Sequence, residues 1–240
     1  MSKTQAERGE GWVSLLFNPP NPVAAIGVIL TFVHLVMVLA PDRLGARLWR
    51  MFDLAPARVL RSADEGNYIA VAREFLGYMF FHVNLTHLLI NLAAILGLGG
   101  FICREMQFHA RERKSDAPAA FIAFFILCGM AGGLAYVVAA PASYAPMIGA
   151  SGAAAGLAGA SMWVLVTRDS EGGPSGGVFR NGAILALFSA IVISLSFFLD
   201  TSNLSRFLFG ATSAWQAHIG GYVFGLLSYP LFERFAGRGR

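Results

Sequence analysis

Six stretches of the chain are almost wholly apolar: approximately Pro22–Ala40, Val83–Cys103, Ala117–Ala140, Met147–Val166, Gly182–Leu199 and Ala214–Phe232. Each is near the roughly 20 residues that a helix needs to cross a hydrocarbon core about 30 Å thick. A helix satisfies its own backbone hydrogen bonds, so each stretch predicts a membrane-spanning α-helix. The third contains Gly129, Gly132 and Gly133, which predicts an irregular end. Pro41–Gly77 has a different pattern, with Trp49, Met51, Phe52 and Leu54 set among arginines. That amphipathic composition suits a segment lying in the membrane interface. Pro141 and Pro146 bracket a short connection before the fourth span, and Glu171–Gly177 reads as a flexible turn. No internal repeat is evident, which disfavours an inverted-repeat transporter.

Composition agrees with the pattern. The chain is 56% hydrophobic and 13% charged, with a mean hydropathy of +0.59; soluble domains run nearer 45–50% and about 25%. With six spans the two termini share a side. Eleven Lys and Arg residues fall on that side and seven on the other, which orients both termini to the cytoplasm. The net charge of +4 reads as topology and lipid headgroup contact. No basic run is interleaved with aromatics, so nucleic acid is not an expected partner. Residues 1–21 are polar and include Glu7 and Glu10, unlike a transit peptide. Pro22–Ala40 is too long for a signal core, and no clear cleavage site follows. The division is therefore a cytoplasmic N-terminal segment (1–21), a membrane domain (22–235, its first loop 41–77 interfacial) and a tail (236–240). Cys103 and Cys128 lie in apolar runs without metal or redox spacing. They read as small fillers, and neither a metal nor a cofactor is expected.

Polar residues inside spans are costly unless paired or facing a wet cavity. Ser151 and His218 are two such residues, in Gly149-Ala150-Ser151-Gly152 and Ala217-His218-Ile219-Gly220-Gly221. A serine and a histidine in glycine-rich surroundings suggest a nucleophile and its base. Each lies about four residues into its span, roughly 6–7 Å deep at 1.5 Å per residue. Their spans run in the same direction, so the two meet at similar depth. Gly152 and Gly156 on one helix, and Gly221 and Gly225 on the other, form G-x-x-x-G faces that allow close approach. On the second span His87 and Asn91 share a face at i and i+4. Both can donate hydrogen bonds to a developing oxyanion, and the start of the fourth span adds free backbone N–H groups.

The set His82…His87-x-x-x-Asn91, Gly149-x-Ser151-Gly152 and Ala217-His218-x-x-Gly221-x-x-x-Gly225 resembles the rhomboid intramembrane serine proteases in order, spacing and span count. The resemblance covers roughly residues 22–235. It implies a six-helix all-α membrane bundle that hydrolyses peptide bonds of transmembrane protein substrates with a Ser–His dyad. Ser151 would be the nucleophile and His218 the general base and acid. His87, Asn91 and the Ser151 N–H would form the oxyanion hole. His82 would support the site, and the first loop would be the lateral, interface-embedded element. The lipid bilayer is the surrounding partner, and the oligomeric state stays open. Two positions depart from the pattern. The place four residues after the serine, often aromatic, is Ala155. The place of a Trp-Arg pair before the second span holds Arg73-Glu74, and Trp49-Arg50 lies too far upstream to stand in for it. These keep open a pseudoenzyme that binds transmembrane clients. A transporter or channel would carry charges within its spans, and no central position has one. His34 reads as packing or interfacial, and His109 as a residue of a charged loop. Asp200 is the one candidate for a third catalytic member, which a dyad does not require. The serine motif is not a nucleophile elbow, since Ala153 replaces the last glycine.

Overall fold

A computed structural model describes residues 18–109, 116–168 and 214–236. The expected fifth span, Gly182–Leu199, lies outside the described residues, as do Asp200 and the turn Glu171–Gly177. Among the described residues the elements are α1 (Asn21–Leu39), α2 (Asp42–Phe52), α3 (Pro56–Asp64), α4 (Tyr68–Gly77), a 3-10 turn (Tyr78–Phe80), α5 (Leu85–Ala94), a π-helical segment (Ile95–Gly99), α6 (Gly100–His109), α7 (Ala117–Ala139), α8 (Ser151–Arg168) and α9 (Trp215–Ala236). No β-strand is present among them, and Leu54 and Met147 form an isolated bridge.

Three described helices are long and apolar enough to cross a membrane: Asn21–Leu39, Leu85–Phe108 and Ala117–Ala139. Ser151–Thr167 is a shorter apolar helix. Helix α1 starts with a proline in its first turn and stops at Ala40, which is extended ahead of Pro41, as the steric demand of proline on its predecessor requires. The second span is α5, the π-helical segment and α6 read as one rod. It ends beyond the expected Cys103, so Arg104 lies on the helix rather than in the loop. The Arg104 guanidinium donates to the Asn18 carbonyl at 2.7 Å. The end of this span therefore meets the chain just before α1, on one side of the bundle.

Two expectations need correction. The glycines of α7 do not fray its end, because the helix runs unbroken to Ala139. They are instead places where neighbours approach. A methyl group on Gly132 would lie 2.8 Å from the Ala217 carbonyl, and one on Gly129 would lie 2.7 Å from Met79 Cε. In apolar surroundings the backbone has no water to bond with, so the helical hydrogen bonds persist despite the low propensity of glycine. The fourth span does not begin at Met147. Leu54 and Met147 exchange backbone hydrogen bonds of 3.0 and 2.9 Å, and Gly149 has φ +114°. This segment is extended and turned, and the helix starts at Ser151 itself.

Helices α8 and α9 touch backbone to backbone. A Cβ on Gly221 would overlap the Gly152 carbonyl, and one on Gly225 the Gly156 carbonyl. The expected G-x-x-x-G faces are thus the seam between the two helices. Gly159 extends it, facing the Tyr222 carbonyl. Cys128 is free and buried beside this seam, where it meets the Cβ position of Gly156. Cys103 is also free and buried.

Overpacking a tight contact typically costs about 1–3 kcal/mol. Gly225→Val is expected to destabilise the detergent-solubilised chain by at least that much, seen as a lower thermal midpoint. Gly97 meets nothing within 4 Å at its Cβ position, so Gly97→Ala should leave the midpoint nearly unchanged.

Candidate active site

Ser151 is the first residue of α8 and His218 the fourth of α9. The seam described above holds these helices at fixed depth. Ser151 Oγ and His218 Nε2 lie 2.9 Å apart. With the proton on Nδ1, Nε2 is free to accept from the hydroxyl. Both residues are half-buried.

The turn before Ser151 is held from several directions. The Gly149 N–H donates to the Tyr78 carbonyl at 2.9 Å. The Ala150 N–H points at His82 Nε2, 3.4 Å away. His82 is 1% exposed, and its ring meets that of His87 edge-on at 5.1 Å. The His87 ring lies over Gly149, where an added Cβ would come within 2.8 Å of Nε2. Gly149 therefore serves twice: its positive φ suits glycine, and its missing side chain leaves room for His87.

Helix α5 places His87 and Asn91. Its N-cap is Asn84, whose side chain accepts from the His87 N–H at 2.8 Å, satisfying one of the orphan donors of a helix start. This cap sets the rotation of the first turn and so the direction of His87. Asn91 is 3% exposed, and its Nδ2 donates to the His87 carbonyl at 2.8 Å. An amide carries two N–H donors, so this bond leaves one for another acceptor. The first N–H groups of α8 have no acceptor within the helix. Thus the structure brings together Ser151, His218, His87, His82 and Gly149, with Gly152, Gly221 and Gly225 on the supporting seam.

A family model for the Rhomboid domain matches residues 71–234. The chain belongs to the rhomboid family. It is accordingly an integral membrane protein with an all-helical membrane bundle. Comparison with curated proteins finds no match.

Sequence reading missed several residues in this rhomboid. Tyr78 is fully buried and bonds in two directions, its carbonyl to Gly149 and its hydroxyl to the Gly129 carbonyl at 2.6 Å. Its position in an apolar run gave no sign of this.

The first loop answers the departure at Arg73-Glu74. Arg73 Nε donates to the Met51 carbonyl at 2.7 Å, which ties α4 to α2. Glu74 is 1% exposed and accepts from Arg58 Nε at 2.9 Å, while Arg58 also binds Asp53. Burial works against the Arg58 charge, but its bonds to Glu74 and Asp53 more than offset this and hold the guanidinium above its ordinary pKa. Asp53 precedes Leu54, the partner of Met147, and Met147 lies four residues before Ser151. The ion cluster is therefore wired through two backbone hydrogen bonds to the turn that carries the serine. Trp49 packs against Phe81, ring centroids 5.9 Å apart, and Phe52 stacks on the same ring at 5.1 Å. At the other departure, Ala155 is too small to cover the His218 ring.

Removing one partner of a buried pair typically costs about 3–5 kcal/mol. Arg58→Met is expected near the lower end, because the Arg58 side chain is 33% exposed. The thermal midpoint should fall, and limited proteolysis should cut first within residues 41–77. Glu74→Gln, which keeps a hydrogen-bond acceptor, should cost less in the same assay.

Proposed function

We propose that this rhomboid is an intramembrane serine protease working by a Ser151–His218 dyad. The observation that carries the reading is the 2.9 Å approach of Ser151 Oγ to His218 Nε2, made by two helices of a membrane bundle. In this mechanism His218 accepts the hydroxyl proton as Oγ attacks the scissile carbonyl. The developing oxyanion takes hydrogen bonds from His87, Asn91 and the Ser151 N–H, where the helix dipole favours negative charge. His218 then gives its proton to the leaving amine. Water, activated by the same imidazole, releases the acyl group. His82 acts by bracing the turn ahead of the serine.

The substrates are transmembrane proteins. A helix shields its peptide bonds in its own hydrogen bonds, so a scissile segment must unwind, and weak helix formers such as Gly or Pro near the cut favour this. The charge distribution favours cytoplasmic termini, and hence a site near the outer leaflet of the membrane, which we take to be a bacterial plasma membrane. A catalytically inactive rhomboid that holds transmembrane clients is the second reading, favoured by Ala155 in place of a ring over His218.

Covalent labelling by a serine-directed probe, alongside cleavage of a model transmembrane substrate, tests the proposal. Wild-type chain should label and cleave, and Ser151→Ala and His218→Ala should do neither while keeping their thermal midpoints. Wild-type protein that neither labels nor cleaves supports the inactive reading. Loss of one oxyanion donor costs about 10²–10³ in rate, so His87→Ala should lower turnover by that factor with a smaller change in KM. Mass spectrometry of the products should place the cut near the outer end of the substrate span; cuts clustered at the cytoplasmic end would overturn the assigned orientation.

A further inference from the structure

The first loop carries six arginines, and three are engaged within the protein. Arg58 binds Asp53 and Glu74, Arg73 binds the Met51 carbonyl, and Arg61 donates to the Tyr144 hydroxyl at 2.6 Å. The other three, Arg43, Arg47 and Arg50, all lie on α2 and are exposed. Among the described residues none of them has an ion-pair partner. At about 100° per residue they fall within a stripe roughly 60° wide. Leu48, Trp49 and Phe52 occupy the opposing arc, with Leu44 and Met51 on the flank nearer Arg47. Trp49 and Phe52 are seated on Phe81, so the arginine stripe faces away from the bundle.

The level of this stripe follows from the chain. Helix α1 crosses the membrane and ends at Leu39, and α2 begins at Asp42. Two residues cannot carry α2 away from the bilayer surface. Leu39 and Leu44, on either side of the junction, are both exposed apolar residues, as expected where acyl chains begin. Guanidinium groups bind phosphate in fixed, bidentate geometry. Near Arg43, Arg47 and Arg50, the acid on the same helix is Asp42 at its first position, leaving a net positive surface.

We propose that the Arg43–Arg47–Arg50 stripe of α2 binds the headgroups of anionic phospholipids in the leaflet where α1 ends. The phosphate supplies the bidentate acceptor, and the net negative charge of the lipid selects it over a zwitterionic one. This site does not depend on the protease reading, because it concerns binding alone.

Native mass spectrometry of the purified full-length chain, in mixed micelles of phosphatidylglycerol and phosphatidylcholine, tests it. A juxtamembrane arginine strengthens attraction to an anionic surface by about fivefold. Wild-type protein should retain phosphatidylglycerol at least tenfold over phosphatidylcholine on the basis of several such arginines, with retention falling as salt rises. Arg43→Gln/Arg47→Gln/Arg50→Gln should bring the ratio close to one at an unchanged thermal midpoint. If the triple variant does not fold, the single variants Arg43→Gln and Arg47→Gln should each lower the ratio by about fivefold. Equal retention of both lipids by wild type overturns the proposal. So does a full preference surviving in the folded variants, or full displacement by millimolar inorganic phosphate, which would mark a free-anion site.

Discussion

At Gly221 and Gly225 the backbone of α9 lies against the carbonyl groups of Gly152 and Gly156 on α8, with no side chain between them. In a bilayer, helices gain little from hiding apolar surface, because the lipid is as apolar as they are. Close backbone packing is what remains to hold them. The same contact fixes the relative depth of the two helices. Ser151 stands one residue before Gly152 and His218 three before Gly221, so the seam that joins the helices also sets the distance between hydroxyl and imidazole. Displacement by a helical turn would separate them by about 5.4 Å, beyond any hydrogen bond.

A second constraint governs the turn that leads into Ser151. Between Ala140 and Ser151 the chain has no helix to satisfy its backbone groups, and buried backbone groups left unpaired are costly. They are taken up from outside: by Leu54 of the first loop, by the Tyr78 carbonyl and by His82. Each of these partners belongs to the region before the second span. The amphipathic loop is thus part of the scaffold of the serine. Its own rigidity comes from the buried Asp53–Arg58–Glu74 cluster. A cluster of this kind is a weak source of net stability but a strict one for geometry, since every partner must be present.

The histidines show how one helix cap orders a site. Asn84 ends the irregular segment and starts α5 by accepting from the His87 N–H. One turn later Asn91 returns a bond to the His87 carbonyl. His87 is thereby held at both ends of its peptide unit, with its ring over Gly149 and beside His82.

Several features were legible in the sequence because they are local. Runs of apolar residues near 20 long mark candidate spans, and three of the expected ones are, among the described residues, helices long and apolar enough to cross a membrane. Glycines at i and i+4 on two spans mark faces of close approach, and Ser151 and His218 stand out as polar groups in apolar surroundings. Spacing alone also put His87 and Asn91 on one face. The start of α8 was misjudged because Met147 and Ile148 are apolar whether they lie in a helix or in an extended bridge; the pairing with Leu54, 93 residues earlier by their numbering, decides between the two. The continuity of α7 was hidden for a similar reason, because the glycines reveal their use only once Met79, Ala217 and Leu54 are seen against them. The roles of Tyr78 and the Arg58 cluster come from contacts across the bundle. Such contacts depend on which faces meet, and a hydrophobic face pointing into a bilayer looks the same in sequence as one pointing at another helix.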